Sequence, residues 1–335
     1  MKYLLEKFKL YDNYHLRKLI VNLLSSGYFW NNKATIYLHN KEIQKKLNKF
    51  HLFVPVVQVE VSNFCNAKCI MCPNPFMTRK KGQMDDSLYK KIIDELSKWP
   101  TPLLHLCGIG ESLLDKKIIE RVRYAKNKQI KNIRINTNGS LLTREMSDAF
   151  IDLELDELLF SIDHGEKDKY EEIRRNLSFQ DVYDNISYIA LRKKQLRRNK
   201  PKIGINAVAQ ENELKQVQTV YKRFKKIADS ISFQVAWNWV GDVSVNNPLK
   251  NKIKRNFPCP YLWYYLNITW DGNVSICCVD WDNEIILGNV ANNSLQEIWR
   301  NDKFEHLRNL HINNRSNEIS VCKKCDNISN WFIKF

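Results

Sequence analysis

Six short apolar runs, at residues 56–61, 103–107, 133–136, 157–162, 203–208 and 231–236, alternate with five stretches of helical periodicity, at 86–98, 115–128, 143–152, 180–197 and 213–228. Runs of this length suit strands covered on both faces. Asp85, Thr143 and Ser178 stand at three helix starts, where a side-chain oxygen can accept from backbone N–H groups that lack an intrahelical partner. Strand–helix alternation of this kind predicts a parallel sheet with right-handed crossovers, hence an α/β fold. Beyond residue 245 the pattern changes. Asn246-Asn247-Pro248 and the basic stretch 250–255 read as a linker, and Asp271-Gly272-Asn273 between apolar runs signals a β-hairpin. The expected organisation is a basic, mostly helical extension over 1–50, an α/β body over 51–245, and a small cysteine-bearing α+β unit over 246–335.

Composition narrows the class. With 335 residues, 44% hydrophobic and 11% aromatic, the chain can bury a sizeable core. No apolar run nears the ~20 residues that cross a bilayer. Leu19-Ile20-Val21-Asn22-Leu23-Leu24 is too short and mixed for a signal peptide, so the expectation is a cytoplasmic protein. The net charge of +16 suits an anionic partner, but its short runs, such as Arg79-Lys80-Lys81 and Arg192-Lys193-Lys194, read as solvated faces. Without a recognised nucleic-acid motif, nucleic acid is not the expected ligand.

The cysteines change the picture most. Cys65, Cys69 and Cys72 form C-x3-C-x2-C directly after the first apolar run. A structural zinc site wants four protein ligands. A 4Fe–4S cluster held by three leaves one iron open to an outside molecule. A zinc or redox thiol cluster is the competing reading. Cys107 lies between this triad and a second group, Cys259, Cys277, Cys278, Cys322 and Cys325, and reads as core.

The triad in this position resembles the radical S-adenosylmethionine superfamily, and six strand–helix units match its partial (β/α)6 TIM-like barrel. Active sites of α/β barrels lie at the C-terminal strand ends, where the triad falls. The resemblance implies that the open iron chelates S-adenosylmethionine, whose reductive cleavage yields a 5′-deoxyadenosyl radical. It also implies cofactor contacts from Met71, from Gly108, Gly110 and Glu111 (methionine amino group), Asn136 after strand three, Ser161 (ribose) and Arg174 (methionine carboxylate, which a planar guanidinium can bind bidentately). Departures from the family pattern are Ser112 where proline is frequent, His164 where glycine is usual, and Met71 where an aromatic is common.

Cys259-Pro260, the hairpin ending in Cys277, Leu287-Gly288-Asn289, Leu295-Gln296-Glu297-Ile298-Trp299 and Cys322-Lys323-Lys324-Cys325 resemble the SPASM/twitch auxiliary-cluster domain. Its two-cluster members need more cysteines. The resemblance therefore implies one auxiliary 4Fe–4S cluster, on Cys259, Cys277, Cys322 and Cys325, an economy similar to that of twitch-type aminocyclitol dehydrogenases. A four-cysteine zinc ribbon is the alternative. Cys278 is left over: a packing residue, a substrate contact or a hydrogen-atom donor.

The expected function is a radical oxidoreductase acting on a small sugar- or aminocyclitol-like substrate, phosphorylated or not. A reductant such as flavodoxin or ferredoxin feeds it, and the auxiliary cluster accepts an electron. Cys278 and Asp280 are the catalytic candidates, with His105, His164 and Glu60 as further bases. Strand alternation nominates Gln58, His105, Asn206, Gln234 and Trp237 for the pocket. The alternatives are a peptide-modifying epimerase or crosslinking maturase, and an iron–sulfur or zinc scaffold for nucleic acid.

Overall fold

The computed structural model describes residues 53–100, 102–209, 213–241, 243 and 258–326, with isolated positions 37 and 41. The extension over 1–50 and the linker around Asn246-Asn247-Pro248 lie outside the described residues.

All six predicted strands form, as β1 (Val56–Val59), β3 (Leu103–Leu106), β4 (Asn132–Thr137), β5 (Glu157–Ser161), β7 (Lys202–Ala209) and β8 (Ser230–Val235). They pair in parallel in the order β1-β3-β4-β5-β7-β8. Val57, Val59, Leu104, Leu106, Ile133, Ile135, Leu158 and Phe160 are fully buried, as expected of strands covered on both faces. The predicted helices appear as α1 (Asp86–Leu96), α2 (Ile118–Asn127), α3 (Arg144–Asp152), α5 (Phe179–Gln195) and α6 (Glu213–Phe224). The three N-caps form as read: Asp85 accepts from Ser87 N, Thr143 from Met146 N and Ser178 from Asp181 N. In α1 the buried Tyr89, Ile92, Ile93 and Leu96 follow the spacing of one helical face.

Helix α2 starts later than residue 115. Asp115 instead accepts from Lys117 N at 3.0 Å and holds the buried Arg121 at 2.5 Å, which fixes an entry turn. Three short elements had no apolar pattern to betray them. Helix α4 (Lys167–Ile173) follows β5, and a two-residue ladder pairs β2 (Lys68–Cys69) with β6 (Arg174–Arg175).

The C-terminal segment contributes α7 (Tyr261–Tyr264), β9 (Tyr265–Ile268), β10 (Asn273–Ser275), β11 (Ile286–Asn289), α8 (Leu295–Trp299), α9 (Asp302–Ile312) and α10 (Ser320–Lys324). The hairpin turn is the predicted one, with Gly272 at φ +83°, a conformation glycine adopts without strain. The hairpin does not form a sheet of its own. β9 runs parallel to β1, with Gln58 opposite Asn267, so one nine-stranded sheet runs β11-β10-β9-β1-β3-β4-β5-β7-β8. At the far edge, Asn238 N after β8 donates to Asp326 at 2.9 Å, and α10 packs on the turn at Trp239–Gly241. The C-terminal segment thus touches both ends of the partial barrel.

Candidate active site

The triad loop leaves β1 and is held by buried amides. Asn63 Nδ2 donates to Lys80 O at 3.0 Å, and its Oδ1 accepts from Gly82 N at 2.8 Å. Asn74 Nδ2 donates to Asn63 O and Ile109 O. Both side chains are at least 96% buried, where an unpaired amide would be costly, so these bonds hold the loop in one shape. Burial pushes the Cys65 thiol up to about 11 and Cys72 up to about 12, and the charge of neighbouring cysteines adds to it. Thiols raised in this way need a cationic group to ionise them. Among the described residues, no three His, Cys, Asp or Glu side chains are gathered as ligands to a single metal ion.

Cys69 lies directly across the β2–β6 ladder from Arg174, whose Nη1 donates to its sulfur at 3.7 Å. The same guanidinium ion-pairs with the fully buried Asp163 at 2.7 Å. Arg174 is therefore a buried cation against the triad. Glu111 is also occupied: it accepts from Thr137 Oγ1 and Asn138 N at 2.7 Å and Leu113 N at 3.0 Å, while burial pushes its carboxyl up. It ties the β3 end to the Thr137-Asn138-Gly139 turn. The room beside Gly110 is filled by the backbone of Ser62 and Phe64, and that beside Gly108 by Glu60. Close packing by the protein itself explains these glycines. Met71 is buried, and its carbonyl accepts from Trp239 Nε1 at 2.7 Å. Trp239 thus brings an aromatic ring to the triad loop at the point where the sequence puts methionine. Trp239 and Val240 hold φ of 47° and 58°, strained for such side chains. Ser161 ends β5 opposite Asn206, at the C-terminal face.

Beside the triad loop a small cleft is lined by Gln58, Glu60, Arg79, Gly108, Cys278 and Asp280, among others. Glu60 binds Arg79 through two bonds of 2.8 Å and accepts from Ile109 N at 3.1 Å, so it is not an available base. Arg79 also donates to Trp281 O at 2.8 Å, and Asp282 accepts from Thr78 N and Arg79 N at 2.9 Å. These contacts strap the triad loop to the C-terminal segment. Arg79 departs from the solvated-face reading of its charge run.

Under the cleft, polar side chains form a connected row. His105 bonds Asn136 Oδ1 at 2.8 Å and Tyr265 Oη at 3.2 Å, and Tyr265 donates to Gln58 Oε1. Gln58 Nε2 donates to Asn267 Oδ1 and Asn267 Nδ2 to Ser275 Oγ, both at 2.6 Å. Asn136 Oδ1 can only accept, so Nε2 of His105 donates to it and that nitrogen is not available as a base. Asn136 thus holds His105. Of the other pocket nominees, Asn206 accepts from Ser232 at 3.1 Å and Trp237 packs on Trp239 at 5.2 Å. His164 Nδ1 accepts from Glu166 N at 3.1 Å, away from the cleft. Asp280 remains: burial pushes its carboxyl up to about 6, while Glu284 N and Ile285 N donate to it at 2.8 and 3.0 Å.

The second cysteine group converges as well. The Cys277 thiol is pushed up by burial and then by the charges of Cys278, Cys322, Cys325 and Cys259. A residue absent from the sequence reading, His311, contacts two of them: Nδ1 accepts from Cys259 N at 3.2 Å and Nε2 faces Cys322 Sγ at 3.5 Å.

Family models match at both places. The radical SAM superfamily model covers residues 59–200, and the SPASM iron–sulfur cluster-binding domain covers 259–326. The chain belongs to the radical S-adenosylmethionine superfamily and carries a SPASM domain. It is similar to an S-adenosyl-L-methionine-dependent 2-deoxy-scyllo-inosamine dehydrogenase of Niallia circulans, with 26% identity over 82% of this chain and 93% of that protein. It is also similar to a tungsten-containing aldehyde ferredoxin oxidoreductase cofactor-modifying protein of Pyrococcus furiosus, with 28% identity over 48% of this chain and 45% of the other. Two solved structures share the fold. BtrN in complex with AdoMet and 2-DOIA has a TM-score of 0.58 and 22% identity over 82% of this chain and 94% of that one. SuiB of Streptococcus suis bound to precursor peptide SuiA has a TM-score of 0.65 and 14% identity over 89% and 76%. Membership implies 4Fe–4S chemistry and S-adenosylmethionine binding. The thiol-only donor sets on the two matched segments fit such groups. Among the described residues, no helix is long and apolar enough to cross a membrane.

Proposed function

We propose that this enzyme is a radical oxidoreductase that dehydrogenates a carbon bearing oxygen or nitrogen in a small, hydroxyl-rich ring such as an aminocyclitol. The observation that carries the reading is the seating of β9 on β1. It places Cys278 and Asp280, beside the second cysteine group, in the same cleft as Glu60 and Gly108, beside the triad. The polar row under that cleft suits a substrate with many hydroxyls, since each needs a partner when it leaves water. The similarity to an inosamine dehydrogenase over most of both chains supports the same class.

In this reading Cys65, Cys69 and Cys72 hold one 4Fe–4S cluster, with Arg174 as the cation beside Cys69. Cys259, Cys277, Cys322 and Cys325 hold a second, closed cluster. With these groups bound, S-adenosylmethionine and its cluster supply a carbon radical that takes a hydrogen atom, and the second cluster supplies an electron sink. The protein orients the carbinol carbon and removes the remaining proton. Asp280 is the group for that proton, because burial holds its carboxyl at about 6, close to the working range of a general base. Loss of a hydrogen atom, a proton and an electron turns the carbinol into a ketone. A reductant of the flavodoxin or ferredoxin class supplies the electron consumed in cleaving S-adenosylmethionine.

The test is an anaerobic reaction with dithionite, S-adenosylmethionine and an aminocyclitol panel deuterated at the carbinol carbons. One deuterium transferred to 5′-deoxyadenosine per ketone formed is the expected result. Cleavage without ketone, or return of hydrogen with inversion at carbon, would overturn the dehydrogenase assignment.

A further inference from the structure

His311 lies in the last turn of α9 and is 99% buried. No step of the proposed reaction uses it. Its two ring nitrogens meet two different cysteines of the C-terminal group. The backbone N–H of Cys259, which enters α7, donates to Nδ1 at 3.2 Å. A nitrogen that accepts carries a lone pair, so in the neutral ring the proton sits on Nε2. Nε2 faces Cys322 Sγ at 3.5 Å, a normal length for a bond to a large sulfur atom. The fold thus fixes the tautomer, and the tautomer makes the imidazole a donor to a thiolate.

Arg308, one turn earlier, faces Trp299 and Phe304 at 4.3 and 4.9 Å and donates to Leu262 O at 3.0 Å. Arg308 and His311, three residues apart, share the face of α9 that is turned to α7 and the residues leading into it. The residues leading into α7 meet α9 and α10 at this ring.

We propose that His311 is a positioning residue for the auxiliary cluster: it anchors the backbone at Cys259 and donates an N–H to the Cys322 sulfur, raising the cluster's reduction potential. This rests on the reading that Cys259, Cys277, Cys322 and Cys325 hold one cluster. The physical reason is charge. An added electron makes the ligand sulfurs more negative, and a donor aimed at one of them stabilises the reduced form more than the oxidised form. An electron-accepting role needs such a bias.

The experiment uses the full chain carrying Cys65/Cys69/Cys72→Ala, so that one cluster remains. Iron content is measured first, then the midpoint potential by a redox titration followed by electron paramagnetic resonance, for His311, His311→Phe and His311→Gln. About four irons in the His311 chain are expected. The Phe variant, which keeps the bulk and loses the N–H, is expected to need about tenfold stronger reducing conditions, or about 59 mV for one electron. The Gln variant, which restores a donor, is expected to return most of that shift. Equal potentials in the His and Phe forms, each with about four irons, overturn the role of His311 and leave the cluster reading intact. Absence of iron in the His311 chain overturns the cluster reading, and this proposal with it. A second measurement does not depend on the Phe variant holding iron. With histidine labelled in heavy nitrogen, the reduced cluster is expected to show a weak histidine coupling that disappears in His311→Gln. No coupling, or one strong enough for direct ligation to iron, overturns the donor role.

Discussion

At the scale of single residues, Arg79 shows how far a side chain can depart from its neighbours' character. It is one of three consecutive cations, yet it is 89% buried at its side chain and grips Glu60 by a two-pronged pair. Removing one partner of such a pair strands the other charge. Arg79→Ala is expected to cost about 3 kcal/mol of stability by denaturant unfolding, and Arg79→Lys to recover little of it, since an ammonium cannot make the fork. A loss below about 0.5 kcal/mol would mean the pair behaves like an exposed one. Asp280 offers a prediction with a sign. Its carboxyl is raised from 3.8 to about 6 by burial, so the folded chain keeps a proton that the unfolded chain has released. The linked stability is fully present below the ordinary carboxylate value and is lost as pH rises through about 6. The melting temperature of the natural chain relative to Asp280→Asn is expected to fall from about pH 4 to about pH 7. A difference that is flat with pH would place Asp280 in water. Neither the pair nor the shift was legible in the sequence, because both depend on which distant segments cover these residues.

Among elements, the helices and barrel strands were legible wherever a local rule governed them. Asp85, Thr143 and Ser178 cap their helices because each supplies the oxygen that orphan N–H groups need. The β2–β6 ladder was not legible, since two polar residues on each side carry no periodicity. It nevertheless fixes Arg174 against Cys69. Gly108 and Gly110 after β3 were named as cofactor contacts on the resemblance alone. In the structure a Cβ on Gly110 would lie 2.4 Å from Ser62 O and 2.6 Å from Phe64 O, so the turn packs on the triad loop itself. Gly110→Ala is expected to push that loop aside, costing about 1–3 kcal/mol and lowering the iron retained by the triad. Unchanged melting and unchanged iron would show that the loop gives way freely.

For the molecule as a whole, the sequence showed two kinds of segment and left their relation open. The hairpin, its turn and both cysteine sets could be read locally. The parallel register of β9 on β1, Gln58 opposite Asn267, could not, because no pattern along the chain encodes which sheet edge a distant strand will cover. That pairing makes one sheet of the two matched segments and puts Cys278 and Asp280 in one cleft with Glu60 and Gly108. In the proposed reaction each cysteine set holds its own cluster. The most direct measurement is iron and sulfide content after anaerobic reconstitution of the natural chain, of Cys65/Cys69/Cys72→Ala and of Cys259/Cys277/Cys322/Cys325→Ala. About eight irons in the natural chain and about four in each variant are expected. About four in the natural chain, or zinc in place of iron at either set, would contradict it.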